Sequence, residues 1–259
     1  MREDDERTAA QVQRLLLSEH GISACKGLVL KVRRALGWQW QRAKFSPMTR
    51  EVNKQKRVTH AKLWLETGEN FHHMLFTDES TISLVRFNTM AFRKKKDTCL
   101  LSRSQNNPVK IHVWGGISKF GPGPLVLFEG IMDAAFFKEH IVTNALVPYL
   151  KQVYPDRCCV MMDNDPKHSC AAPFMASNGV NWLRTPPESP DMNPVEMVWA
   201  HLKGYLKRVH KPTNKAELID GILKFWRDFL TIKICCDTID HIKKVLPVVI
   251  ERNGAATNM

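Results

Sequence analysis

The sequence predicts a mixed α/β fold: one sheet with helices on both faces, preceded by a small all-α module. Three observations predict it. From residue 71 onward, strand-like apolar runs come first in succession, then alternate with helical spacings, and finally give way to a helical tail. Hydrophobic residues make up 44% of the 259 and charged residues 25%, enough apolar surface for a packed core, which excludes wholesale disorder. Positive charge is concentrated near the start: of the formal net +12, residues 21–62 carry +10, from eleven Lys/Arg and a single acid, Glu51. That skew points to an anionic partner, with nucleic acid ahead of membrane.

No apolar run approaches the ~18 residues that a membrane helix needs. The opening Met1-Arg2-Glu3-Asp4-Asp5-Glu6-Arg7 lacks the apolar stretch of a signal peptide, so a soluble intracellular protein is expected. Seven cysteines, with adjacent pairs at Cys158-Cys159 and Cys235-Cys236, show no zinc-ligand spacing. They read as free, mostly buried thiols in a reducing compartment.

The first element is a helix over residues 8–19. Thr8 is its N-cap, Val12, Leu15 and Leu16 lie at helical spacing, and Gly21 is its stop. A second helical run passes through Val29, Leu30, Val32 and Leu36 and carries Lys26, Lys31, Arg33 and Arg34. Helix, short turn and basic second helix is the layout of a helix-turn-helix, whose second helix can enter a major groove; a solvated basic face is the other reading. Trp38 and Trp40 are expected to pack this module. Residues 41–62, with Arg42 and Lys44, read as a basic linker passing into a helix over 60–66.

Strands follow at 73–77, ending in Asp78-Glu79-Ser80, and at 81–87, where apolar and polar residues alternate. Further strands are expected at 110–118 and 124–128, then a helix at 133–149, a strand at 157–162 ending at Asp163, a helix around 171–176 and a last strand at 180–183. Helices at 194–209, 214–230 and 237–245 complete the chain. The run Arg93-Lys94-Lys95-Lys96 reads as a solvated hairpin, with a DNA-backbone contact or part of a nuclear import signal as the alternatives. There is no internal repeat.

Two aspartates, Asp78 and Asp163, each directly follow an apolar strand-like run, which puts both at strand ends. On neighbouring strands they would face each other. Two adjacent anions repel, so one must be protonated or a cation must sit between them, and oxygen ligands of this kind suit Mg²⁺ or Mn²⁺. Either Asp taken alone could equally cap a turn. The third acid is Glu196, three residues after Asn193 and two after Pro194. That spacing also describes a capping box with Asn193 as N-cap, and spacing alone does not choose between cap and ligand.

Four motifs in order carry a resemblance. Phe76-Thr77-Asp78-Glu79-Ser80, Val113-Trp114-Gly115-Gly116-Ile117, Asp163-Asn164-Asp165-Pro166-Lys167-His168 and the stretch from Ser189 to Trp199 resemble those of Tc/mariner transposases, in the DDE superfamily. The resemblance covers nearly the whole chain and implies a ribonuclease H-like catalytic fold. Residues 8–38 resemble the second helix-turn-helix of the family's bipartite, paired-type DNA-binding region, and a more N-terminal helix-turn-helix is expected in the family. By motif, Asp78, Asp163 and Glu196 become the catalytic, metal-holding triad, with two Mg²⁺ or Mn²⁺ ions. Lys26, Lys31, Arg33, Arg34, Arg42 and Lys44 become candidate DNA contacts. Lys167, His168 and Asn193 become supporting residues, while Glu79, Asp165 and Asp191 are ranked below the triad.

The organisation implied is 1–40 helix-turn-helix, 41–70 basic linker and helix, 71–212 catalytic domain and 213–259 helical tail. The resemblance implies cleavage of double-stranded DNA at terminal inverted repeats and strand transfer into TA sites, by a homodimer in the nucleus. A catalytically silent, domesticated DNA-binding remnant is the alternative, and a general nuclease of the same fold a third reading.

Overall fold

The structure, a computed structural model, describes residues 7–38, 48–84 and 109–257. Arg42, Lys44, Trp40, Cys99 and the Arg93–Lys96 run lie outside the described residues. The chain divides into two units, Met1–Phe45 and Ser46–Met259.

The first unit holds α1 (Ala9–His20) and α2 (Lys26–Ala35). Thr8 caps α1 reciprocally with Gln11, each side chain serving the other's end of the turn. Gly21 ends the helix in the left-handed region, at φ 65°. Cys25 caps α2 through its sulfur, which accepts from the Leu28 amide. Only Val12 and Val29 are buried in these helices. Trp38, expected to pack the module, is 36% exposed.

In the second unit, α3 (Glu51–Glu66) begins well before the expected residue 60. Its buried stripe is Asn53, Arg57, Ala61 and Trp64, a helical spacing whose first half is polar. Apolar periodicity could not reveal it. The sheet has the order β3-β2-β1-β4-β5: β1 (Met74–Ser83), β2 (Lys110–Ser118), β3 (Gly121–Phe128), β4 (Cys159–Met162) and β5 (Asn181–Arg184). β1 runs antiparallel to β2, and β2 to β3, while β4 runs parallel to β1 and β5 to β4.

The strand expected at 73–77 and the described part of the one expected at 81–87 form a single strand, Met74–Ser83, so Asp78 lies mid-strand and not at a strand end; residues 85–87 lie outside the described residues. The reason is β2. Its backbone continues opposite Asp78, Glu79 and Ser80 through Gly115, Trp114 and Val113, so the ladder runs on through the polar residues. Asp163 does follow the end of β4, as expected.

One face of the sheet packs on α3 and on the later helices α7 (Val195–Tyr205), α8 (Lys215–Lys224), α9 (Ile232–Asp240) and α10 (Ile242–Glu251). The other packs on a continuous helical rod and on α6 (Pro166–Ser177). The rod runs from α4 (Ala134–Phe136) through the wider π-type winding of Phe137–Leu146 into α5 (Val147–Val153). α6 starts five residues before the expected helix because Asp165 caps it and Pro166 takes the first turn. The expected helix at 237–245 is two helices: Thr231 caps α9, and the chain breaks between Asp240 and Ile242. All six described cysteines are free; Cys158, Cys159 and Cys235 are buried, but Cys25 and Cys170 are exposed. No helix of the described residues is long and apolar enough to cross a membrane.

Candidate active site

The parallel pairing of β1 and β4 sets the site. Met74, Leu75 and Phe76 stand beside Cys159, Val160 and Met161. Asp78 lies two residues beyond Phe76 on β1, and Asp163 two residues beyond Met161, just past the end of β4. Thr77 seals the junction, its hydroxyl donating to the Met161 carbonyl at 3.1 Å. Asn193, which is buried, donates to the Thr77 carbonyl at 3.2 Å and so ties the start of α7, with Glu196, to the strand carrying Asp78.

Strand alternation splits the acids of β1. Asp78 turns to the α7 face, where the Trp199 indole N–H donates to its Oδ2 at 3.0 Å. Trp199 stacks on Trp226 with ring centroids 5.6 Å apart, and the space for that stack comes from Gly115, opposite Asp78. A Cβ there would lie 2.9 Å from Trp226 and 3.2 Å from Trp199. Burial first, then the negative charges of Glu196 and Glu79, push the Asp78 carboxyl up to about 8. Among the described residues, no ion pair reaches Asp78. Desolvation also raises the Glu196 carboxyl.

The capping-box alternative for Glu196 is not formed. The Asn193 side-chain oxygen does accept from the Val195 amide at 3.3 Å. The Asn193 amide, however, donates to the Pro190 carbonyl, so Glu196 has no capping partner there and its carboxyl remains available.

Glu79 turns to the opposite face. Its Oε1 lies 3.3 Å from His168 Nε2 and 3.4 Å from Lys167 Nζ, while His168 Nδ1 lies 2.9 Å from Asp163 Oδ1. Burial alone would lower the His168 pKa, but its hydrogen bonds to Asp163 and Glu79 outweigh that and push it up to about 9. The His168 contact in turn holds the Asp163 carboxyl below its usual range. Lys167 also pairs with Asp165, at 2.9 Å. Glu79, Asp163 and His168 each offer a ligand atom within 4.8 Å of the others. The oxygens of Asp78, Asp163 and Glu196 are not gathered that closely among the described residues.

A second network braces the turn before α7. The fully buried Arg57 forms a fork with Asp191, at 2.8 and 2.7 Å, and donates to the carbonyls of Glu188 and Gly254. Asp191 also accepts from the Thr257 amide and hydroxyl, both at 2.9 Å. The linker-side helix, the turn before Glu196 and the C-terminal segment are thereby joined.

Of the basic residues singled out in the first unit, Lys26, Lys31 and Arg34 are exposed. Arg33 is half-buried and donates to the Arg7 carbonyl at 2.6 Å. Sequence reasoning missed Arg57 and Trp199 and ranked Glu79 low. Trp199 was legible, since it stands three residues after Glu196 on one helix and therefore on the same face. Glu79 was legible as the neighbour of Asp78 that must face the other way. Arg57 carried no signal among the many cations around it.

A family model described as DDE superfamily endonuclease matches residues 73–219, a span that contains all three acids and the β1–β4 junction. The chain belongs to the DDE superfamily endonucleases. Among curated relatives of this DDE endonuclease, the transposable element Tc1 transposase of Caenorhabditis elegans is 26% identical, over 99% of this chain and 96% of that protein. The Tcb2 transposase of Caenorhabditis briggsae is 24% identical over the same shares. Among solved structures, the Mos1 mariner paired end complex with Mn matches 98% of this chain and 76% of its own, with a TM-score of 0.82 at 16% identity. The catalytic domain of Mos1 mariner transposase matches 82% of this chain and 99% of its own, with a TM-score of 0.64 at 15% identity. The structural likeness makes the sheet and its helices the ribonuclease H-like fold, and the DDE endonuclease is similar to the Tc1 and Tcb2 transposases along nearly its whole length.

Proposed function

We propose that this DDE endonuclease is a DNA transposase that cuts double-stranded DNA at terminal inverted repeats and transfers the cut strand into TA sites. In this reading Asp78, Asp163 and Glu196 are the catalytic acids. The observation that carries it is that Asp78 lies on β1 and Asp163 follows the end of β4, two strands paired in parallel, with Glu196 close enough to repel the Asp78 charge.

The donor set fits a divalent cation. Asp78 is crowded by two acids and has no cationic partner among the described residues, so at neutral pH a bound cation favours its ionised form over the protonated one. Carboxylate oxygens are the ligands that Mg²⁺ and Mn²⁺ favour; we assign two ions to Asp78, Asp163 and Glu196. When bound, such ions supply nucleophile activation and charge neutralisation at phosphorus. The chain's own side chains do the positioning. Trp199 fixes one oxygen of Asp78, His168 orients Asp163 from behind, and Asn193 holds the start of α7 against β1. Lys167 and His168 are engaged by carboxylates and serve as supports.

Lys26, Lys31 and Arg34, with Arg42 and Lys44 outside the described residues, are proposed as DNA contacts. Arg33 contributes through its tie to the Arg7 carbonyl. The protein is proposed to act as a homodimer holding two DNA ends, in the nucleus. Asp163→Asn tests the proposal. It is expected to abolish Mg²⁺-dependent nicking of repeat-containing DNA while leaving binding intact; nicking at the parental rate overturns it. A general nuclease would instead cut without regard to the repeats.

A further inference from the structure

Beside the acids lies a basic hollow that the triad does not use. It measures about 530 Å³ and is lined by Lys56 and His60 of α3, Asn164 and Ser169 at the start of α6, Arg184 at the end of β5, and the prolines that follow it. Asn164 is the residue directly after Asp163, so the hollow opens next to the candidate catalytic centre. A second hollow, of about 440 Å³, adjoins it along α3 and shares Lys56 and Pro187.

Two features give the hollow its chemistry. Lys56 and Arg184 are both exposed, and among the described residues neither is paired with a carboxylate. Two uncompensated cations facing one cavity attract an anion. Arg184 lies over the Trp182 ring with its guanidinium carbon 4.5 Å from the centroid, which holds the fork in place with its N–H groups unspent. His60 also lines the cavity, its ring held edge-on to Trp64 at 4.3 Å. Asn164 spends its amide N–H on the Thr185 carbonyl at 2.7 Å, which keeps that wall fixed.

We propose that this hollow seats one nucleotide of the DNA strand entering the acidic site. Lys56 and Arg184 hold its phosphate. The volume lies within the range of small-molecule sites, and the mix of cations with a flat apolar wall at Pro186 and Pro187 matches a phosphate attached to a ring. The seat rests on the DNA-cutting reading above, and it adds a site at which the strand is gripped beside the scissile bond.

The test uses the full chain carrying Asp163→Asn, so that binding is measured without cleavage. Fluorescence anisotropy with a labelled 20-nucleotide single strand, and with the matching duplex, is followed across a KCl series. Lys56→Ala/Arg184→Ala is expected to weaken binding by about ten-fold. It should also flatten the plot of log K against log salt by roughly 0.7 on the single strand and 0.9 on the duplex, the equivalent of one phosphate. Lys56→Arg should retain the parental slope. Lys151→Ala, which removes one exposed charge from α5, should leave both readouts unchanged. Both truncated side chains are exposed, so folding is preserved, and the circular dichroism melt verifies it. Parental affinity and slope in the double variant overturn the seat. If unmodified protein fails to nick DNA with Mg²⁺ while the double variant still loses affinity and slope, the seat stands and the transposase reading falls.

Discussion

Arg57→Met separates the bracing network from the rest of the fold. The arginine is fully buried and spends its fork on Asp191 at 2.8 and 2.7 Å, with two more hydrogen bonds to the Gly254 and Glu188 carbonyls. Methionine keeps much of the stem's volume but leaves the Asp191 carboxylate with only Thr257 and strips two carbonyls of their donor. Breaking one side of a buried ion pair costs about 3–5 kcal/mol, and the orphaned carbonyls add to the upper end of that range. For a unit of this size, ~4 kcal/mol lowers Tm by about 8–16 °C. Arg57→Met/Asp191→Leu should recover most of the loss, because removing both partners of a buried pair is often close to neutral. Arg57→Lys should rescue little, since an ammonium cannot form the fork. Urea denaturation at pH 7 measures all three. A loss below about 1 kcal/mol in Arg57→Met, or a double variant no more stable than the single one, refutes the reasoning.

Two further predictions follow from the site. Burial and the neighbouring acids hold the Asp78 carboxyl near 8 in the folded, metal-free chain, against 3.8 for an ordinary aspartate, so the folded state holds the extra proton between those values. Metal-free stability should therefore fall as pH rises from about 4 to 8. Asp78→Asn should remove that slope and exceed the parent at pH 8 by on the order of 2 kcal/mol or more; thermal melts across pH in EDTA read it, and parallel curves for the two proteins contradict it. Gly115→Ala drives a methyl into Trp226 and Trp199 and should destabilise by about 1–3 kcal/mol, with a shift in tryptophan emission. An unchanged melt and spectrum would mean that the stacked pair does not depend on this glycine.

Much of the fold was legible because its cues were local. The Thr8 cap, the Gly21 stop and the apolar run of β2 each announce an element from within a few residues. The mid-strand position of Asp78 was not legible, because it depends on β2 continuing opposite it, which is a long-range fact. The start of α3 was hidden for a related reason: its buried face opens with Asn53 and Arg57, which no hydrophobic pattern marks, and Arg57 is satisfied by residues more than 130 positions away. In the site, motif order nominated the three acids. The opposed faces of Asp78 and Glu79 follow from strand alternation, but the partners that each meets, Trp199 on one side and His168 on the other, required the packing of α7 and α6 onto the sheet.

The most direct measurement is an anomalous difference map from a crystal of the full chain soaked in Mn²⁺. The account predicts manganese density within coordination distance of Asp78 and Asp163, with Glu196 drawn towards it. Density held by Glu79, Asp163 and His168, with Asp78 left on Trp199 alone, would contradict it.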